Sequence, residues 1–379
     1  MKMPFYLFAF VSDSLIIMLS LLLLAFSFFP WGKLISKIIG IRIKDKDGLM
    51  ANIWLGFVFC IFIFPIYHLF FPINALASCL FYIPGLIYYF IKYGRKLPSF
   101  IKSLGWGKII ILFLTLFAAS TIAIQLPTNP DTGLYHLNSI RWENEHHIIK
   151  GLGCLNRRLT FNQLSFIYSA TLNFHPFFND YAYRVSNTFL YALFFVGLFL
   201  KGSFIDLLLL CLFFFIPMPF HWINSPTPDM ASTIIQIIIF RYFIEAVYFK
   251  PDDEDKSSYI AFVAILTGLL ITIKLSNAVY AVGLGLVTYV FSKIKDLKIN
   301  EKKIIGKSFI FIFILFAIWI IRGYIQSGYP LFPSPFGKIN FAWTVPVEIT
   351  LLERDIIYAS SRSCDTILDK NSPKLKNYE

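Results

Sequence analysis

Residues 127–163 read PTNPDTGLYHLNSIRWENEHHIIKGLGCLNRRLTFNQ, and this polar passage decides the fold, because nearly everything on either side of it is apolar enough to sit in lipid. It gathers Asp131, His136, Arg141, Glu143, Glu145, His146, His147, Arg157 and Arg158 into one water-facing segment. Over the whole chain 57% of residues are hydrophobic and only 15% are charged, which is too little charge for a soluble domain. The chain therefore reads as an all-α integral membrane protein. Its net charge of +12 comes from basic residues in short runs between apolar segments, a pattern that reports orientation and argues against nucleic acid as a partner. The cysteines at 60, 79, 154, 211 and 364 show no paired metal spacing, although Cys154 and Cys364 would share a compartment.

Working outward from the polar passage, apolar segments long enough to cross a bilayer occur at 5–29, 48–72, 75–91, 109–126, 182–200, 203–217, 229–249 and 308–322. The first is too long an apolar run for a cleaved signal and reads as a retained helix. The stretch 259–292 would measure about 51 Å as one straight helix, too long for a single crossing. Its central polar residues, Lys274, Ser276 and Asn277, predict two short spans joined by a turn. The expectation is thus about ten spans in one domain covering 1–379, with a large outer loop at 127–181 and an outer C-terminal segment at 323–379. Within that loop, 165–178 is apolar enough to form a helix lying on, or re-entering, the outer face.

Basic residues assign the sides. Lys33, Lys37, Arg42, Lys44 and Lys46 place the first connection in the cytoplasm, as Lys92, Arg95, Lys96, Lys102 and Lys108 do the third. Lys293, Lys295, Lys298, Lys302, Lys303 and Lys307 do the same for 293–307. Counting spans between them brings 127–163, the loop before Asp229, the Lys274 turn and Arg322 to one face, away from the cytoplasm.

Several residues on that face could carry chemistry. Asp131 follows Pro130 where a span leaves the membrane; it suits either a helix N-cap or a general base facing an acceptor held at the surface. Tyr135 and His136 stand beside it, and His136 could hydrogen-bond to or neutralise a leaving phosphate. His136, Glu143 and His147 have helical spacing, but a solvated face explains that spacing better than a metal site does. Asp229 ends SPTPD, as a helix cap or as a functional residue on the same face as Asp131. Lys274 lies between wholly apolar neighbours and either snorkels or binds substrate. Arg322 closes a span on the side where positive charge is disfavoured, which suits pairing with a phosphate. Arg157 and Arg158, after the pair of glycines at 151 and 153, are surface charge or hold a sugar or diphosphate.

The run DTGLYHLNSIRWENEHHIIKGLGCLNRRLTFNQLSF, with SPTPDMAS, ITIKLSNAVY and IRGYIQSGYPLFPSPFG, resembles an uncharacterised bacterial membrane family grouped with the GT-C glycosyltransferases. The likeness spans roughly 121–346, and its most specific piece is D-x-x-x-Y-H at Asp131, Tyr135 and His136. GT-C enzymes carry an essential Asp in the first large outer loop and use polyprenyl-phosphate or polyprenyl-diphosphate sugars. The resemblance implies that Asp131 is that acid, that Asp229 is a second acid at a later helix start, and that Lys274 and Arg322 meet the donor phosphate. In those enzymes the loop follows the first span, whereas here three spans precede 109–126.

The resulting expectation is transfer of a sugar or oligosaccharide from a polyprenyl carrier to a glycan or lipid acceptor, on the outer face of a bacterial inner membrane, in surface polysaccharide assembly. An O-antigen-type polymerase is the nearest alternative and would need the same groups. A lipid-linked glycan flippase or other transporter predicts ionisable groups near the bilayer midplane, whereas these cluster at one face. A structural partner in an assembly is a further alternative. No cofactor is indicated; a divalent cation is compatible with the carboxylates but nothing demands it.

Overall fold

A computed structural model describes residues 3–177, 183–213, 215, 220–249, 253–294 and 302–360. Among the described residues there is no strand. These residues form fifteen α-helices in order: α1 Met3–Ile39, α2 Asp45–His68, α3 Ala75–Tyr93, α4 Leu97–Leu104, α5 Trp106–Ile124, α6 Leu137–Glu145, α7 Leu152–Leu155, α8 Leu164–Leu172, α9 Arg184–Lys201, α10 Phe204–Phe213, α11 Pro228–Ile244, α12 Asp253–Ile273, α13 Ala278–Ile294, α14 Lys302–Ser327 and α15 Val347–Ser360. Among the described residues seven helical stretches are long and apolar enough to cross a membrane, in α1, α2, α3 with α4, α5, α11, α12 and α14. The chain is accordingly a multi-pass membrane protein. Each of the ten expected segments contains a helix among the described residues, but α10 and α13 are shorter apolar helices and α9 is not among the seven, so the expected ten spans are not reached.

Two compact units divide the chain: Met1–His147 with Gln163–Ile318, and Ile148–Asn162 with Trp319–Glu379. In the first, α1 and α2 approach closely through glycine. A Cβ on Gly32 would overlap the Asn52 carbonyl, and one on Gly56 the Phe28 carbonyl. Small residues are what allow backbones in lipid to meet at such distances. Leu76, Leu80, Ile83, Ile87 and Ile91 of α3 are exposed at three- and four-residue steps, a stripe suited to hydrocarbon. Pro30, Pro65 and Pro84 lie inside α1, α2 and α3, a placement tolerated in membrane helices because neighbours re-satisfy the backbone.

The 259–292 stretch breaks where its polar residues predict. Helix α12 ends at Ile273, Lys274 is extended with φ −153° and ψ 121°, and a short 3-10 turn at Leu275–Asn277 leads into α13. Asn277 pins the break to α11: its amide nitrogen donates to Ser232 Oγ at 2.9 Å, and its Oδ1 accepts from Gln236 at 2.9 Å.

The helix expected over 165–178 is α8, and all nine of its residues are buried. It forms core rather than lying on a face: Tyr168 packs edge-on to Phe57 at 4.9 Å between ring centres and meets Phe28 at 6.4 Å. Large aromatic pairs in this arrangement add to simple area burial.

The second unit has its own core of Tyr329, Phe332 and Val345, with Phe161 and Ile349 against it. Asn162 holds it to the end of α14, donating to Trp319 O at 2.7 Å and accepting from Trp319 Nε1 at 2.7 Å. Asn162 does so with φ +52°, a left-handed conformation that Asn tolerates better than most residues. Residues 361–379, including Cys364, lie outside the described residues, so the Cys154–Cys364 pairing does as well.

Candidate functional site

The C-terminal end of α5 and the N-terminal ends of α9 and α11 are tied together by side-chain amides and hydroxyls reaching backbone carbonyls. Asn187 Nδ2 donates to Ser225 O at 2.7 Å and Thr227 O at 2.8 Å, Thr188 Oγ1 donates to Ile223 O at 3.0 Å, and Asn224 Nδ2 donates to Gln125 O at 3.1 Å. Arg184 Nη1 donates to Ile124 O at 2.7 Å. These bonds give irregular backbone the partners that lipid would deny it. Onto this frame the hydroxyls of Thr132 and Ser225 meet at 2.7 Å, linking the Asp131 segment to the loop that ends at Asp229.

Asp131 makes no side-chain capping bond to the turn it precedes. That task falls to Asn129, whose Oδ1 accepts the Asp131 N–H at 2.9 Å and whose carbonyl accepts the Thr132 N–H at 3.1 Å. The cap reading of Asp131 is thereby replaced by Asn129. Thr132–His136 is a π-helical turn, a geometry that recurs at functional sites. Its extra residue breaks the expected helical register, leaving Leu134 exposed while Ile140 is buried.

Tyr135 and His136 face inward from that turn. His136 is 1% exposed, its ring lies 5.3 Å from that of Phe166 on α8, and its Nδ1 has no hydrogen-bond partner. Burial is the main reason its pKa falls to about 3, with Asp229 opposing and Lys274 reinforcing the shift. The imidazole is therefore neutral. This corrects the idea of a cationic His136, because an apolar pocket against Phe166 disfavours the charged ring; what remains is a hydrogen-bonding group. The shift also shows that Asp229 and Lys274 stand near enough to act on it.

Asp229 and Lys274 form an ion pair between the start of α11 and the break after α12. The cap of α11 is Thr227, which accepts the Asp229 N–H at 3.3 Å, with Pro228 in the first turn, so the carboxylate of Asp229 is left for Lys274. The side chains stay 41% and 35% exposed. Lys274 thus neither snorkels alone nor stands unpartnered. An ammonium has three donors, and Asp229 engages one of them.

The spacing of His136, Glu143 and His147 does not make one helical face, because α6 ends at Glu145 and His147 lies beyond it, exposed. Among the described residues no group of three or more His, Cys, Asp or Glu is placed to hold a metal ion.

Arg157, Arg158 and Arg322 belong to the second unit. Both Arg157 and Arg158 pair with Glu353 of α15, which is 1% exposed, Arg158 at 3.6 Å. Gly151 and Gly153 approach Trp343 and Val345 in the same unit. Arg322 does not close its helix, since α14 continues to Ser327; it is 1% exposed and donates to Asn162 Oδ1 at 3.3 Å.

Sequence reasoning missed a second polar cluster, on the far half of α11. Arg241 Nη2 lies 2.6 Å from Asp47 Oδ1 and its Nε 3.0 Å from Asp206 Oδ1, while Lys201 bridges Asp47 at 2.6 Å and Glu245 at 2.8 Å. Tyr259 donates to Asp47 Oδ2 at 3.0 Å. The available signal was an Arg inside an apolar span, which by itself requires a partner.

A family model matches residues 15–374, described as a domain of unknown function, DUF8201. The chain belongs to that family. No curated protein and no solved structure matches the chain. What the family does must therefore be argued from the site itself.

Proposed function

We propose that this chain is a membrane glycosyltransferase working on the outer face of a bacterial inner membrane, with a polyprenyl-phosphate or polyprenyl-diphosphate sugar as donor. The observation that carries the reading is the half-exposed Asp229–Lys274 pair beside a buried, neutral His136, with the Asp131 segment joined to the Asp229 loop through Thr132 and Ser225. In the reaction, an acceptor hydroxyl oxygen attacks the anomeric carbon and its proton passes to the Asp131 carboxylate. The bond from the anomeric carbon to the phosphate oxygen breaks, and the electron pair leaves on the polyprenyl phosphate. The Lys274 ammonium, held in place by Asp229, meets the developing charge. Tyr135 and His136 bound the sugar from the protein side, His136 through a neutral ring nitrogen. Asp229 positions Lys274 in this scheme and does not itself take the acceptor proton.

The test is Asp131→Asn, which preserves shape and removes basicity. In membranes supplied with lipid-linked donor, transfer falls by about 10²- to 10⁴-fold, the contribution of a positioned base. Protein level stays at that of the parent, because Asn129 supplies the cap. Parental transfer by Asp131→Asn membranes would remove the acid from the mechanism.

A further inference from the structure

Helix α3 runs on through a 3-10 turn at Gly94–Lys96 into α4. At 1.5 Å per residue the combined stretch Ala75–Leu104 would measure about 45 Å, well beyond the roughly 30 Å of hydrocarbon in a bilayer. The exposed apolar residues of α3 end at Ile91, and those of α5, past Trp106, begin at Ile110. The two spans are consecutive, so residues 92–108 leave and rejoin the bilayer at one surface. Gly105, at φ +77°, makes the turn from α4 into α5 in a conformation that a side chain would strain.

Within α4, Leu97, Phe100, Ile101 and Leu104 recur at three- and four-residue steps, and Trp106 follows, 80% exposed. No residue of α4 is buried by the protein. A narrow apolar stripe with a basic, polar back is the pattern of a helix lying in a membrane interface, the depth that tryptophan also favours. Because a span holds it at either end, the bilayer surface is the cover within its reach, ahead of any soluble partner.

Charge selects the lipid. Among the described residues the side chains of Arg95, Lys96, Lys102 and Lys108 have no hydrogen-bond or ion-pair partner, and the sequence holds no acid between Asp47 and Asp131. Basic residues near other helix ends are spent on the protein: Lys46 Nζ donates to Leu200 O at 2.6 Å, Lys307 Nζ donates to Ile38 O at 2.7 Å, and Lys201 pairs with Asp47 and Glu245. The rule that orients a membrane protein asks only that positive charge be present. It does not ask that the charge stand unpaired beside an apolar stripe. We propose that α4 and its flanks bind anionic phospholipid headgroups, with the phosphates against Arg95, Lys96, Lys102 and Lys108 and the apolar stripe facing the acyl chains. Lysine and arginine at a membrane surface attract anionic lipid in this way. Such binding is independent of the transferase reading.

The experiment uses the full chain in phosphatidylcholine nanodiscs that carry a minor fraction of either brominated phosphatidylglycerol or brominated phosphatidylcholine. Bromine on an acyl chain quenches indole fluorescence on contact, and subtracting the signal of Trp106→Phe isolates Trp106 from the other tryptophans. Quenching of Trp106 is about fivefold stronger for the anionic lipid, the factor that one lysine near an anionic surface contributes. Lys96→Gln, Lys102→Gln and Lys108→Gln together bring the two lipids to equal quenching at an unchanged thermal midpoint, whereas Lys96→Arg, Lys102→Arg and Lys108→Arg together keep the preference. Salt that shortens screening from about 10 Å to about 3 Å erases the preference in the parent, a reading that needs no variant. Equal quenching by the two lipids in the parent, or a preference that persists in the glutamine variant or in high salt, overturns the proposal. A Trp106 that neither lipid quenches also overturns it and assigns the segment to an acidic protein partner.

Discussion

Helix α11 carries an ion cluster at each end, and the two are built differently. Near its start, Asp229 holds Lys274 as a single pair with both side chains more than a third exposed. About 18 Å further along at 1.5 Å per residue, Arg241 is 4% exposed and sits between Asp47 and Asp206, with Lys201, Glu245 and Tyr259 completing the network. Buried charge persists only when opposite charge balances it, and burial keeps a substrate from this network even though Arg241 Nη1 has no hydrogen-bond partner. A half-exposed pair has spare donors and open access. The difference separates a structural lock from a site, although both are charged residues within apolar sequence.

Removing one member of each cluster sharpens the contrast. Arg241→Met takes from Asp206 its arginine partner and from Asp47 one of two cations, and should destabilise the fold by about 3–5 kcal/mol. Denaturant unfolding of the purified protein measures this, and combining it with Asp206→Asn should recover part of the loss through non-additivity. Parental stability in Arg241→Met would mean the network is not a lock.

Lys274→Met should change stability by no more than about 1 kcal/mol, since its pair is exposed. Its effect belongs to transfer: at limiting lipid-linked donor the rate should drop roughly 10- to 100-fold, the value of hydrogen bonds to a charged group. Arg in its place should restore part of the rate, because phosphate accepts either cation with different geometry. A Lys274→Met protein that transfers normally but unfolds early would reverse the comparison and make this end the structural one.

The smallest effect concerns pH. His136 has its pKa lowered from 6.5 to about 3 in the fold, so the unfolded chain binds the proton more readily. The group's contribution to stability is fully present above pH 6.5 and is lost as pH falls toward 3. His136→Gln should flatten the acid side of the thermal-midpoint profile and leave it unchanged above pH 7. An equally steep acid limb in the variant would assign the sensitivity to other groups.

Parts of this site were legible in the linear chain because they are local. The polar triplet at 274–277 inside an apolar run forecast the helix break, and the D-x-x-x-Y-H spacing marked the loop that bears Asp131, Tyr135 and His136. Local rules erred where a neighbour a residue or two away could do the same job: Asn129 and Thr227 cap where Asp131 and Asp229 were candidates. The π-helical turn escaped notice because hydrophobic spacing cannot distinguish one extra residue from an ordinary helix.

By itself, then, the sequence determined that this is a multi-pass helical membrane protein with its polar residues gathered in one long segment, since span length and apolarity are set residue by residue against the thickness of a bilayer. Only the tertiary structure decided which charges meet. Lys274 finds Asp229 across 45 positions and Lys201 finds Asp47 across 154, while Arg157 and Arg158 are drawn to Glu353. Such pairings are chosen by burial and by the cost of leaving a charge without a partner, and both are properties of the packed helices rather than of any stretch of chain.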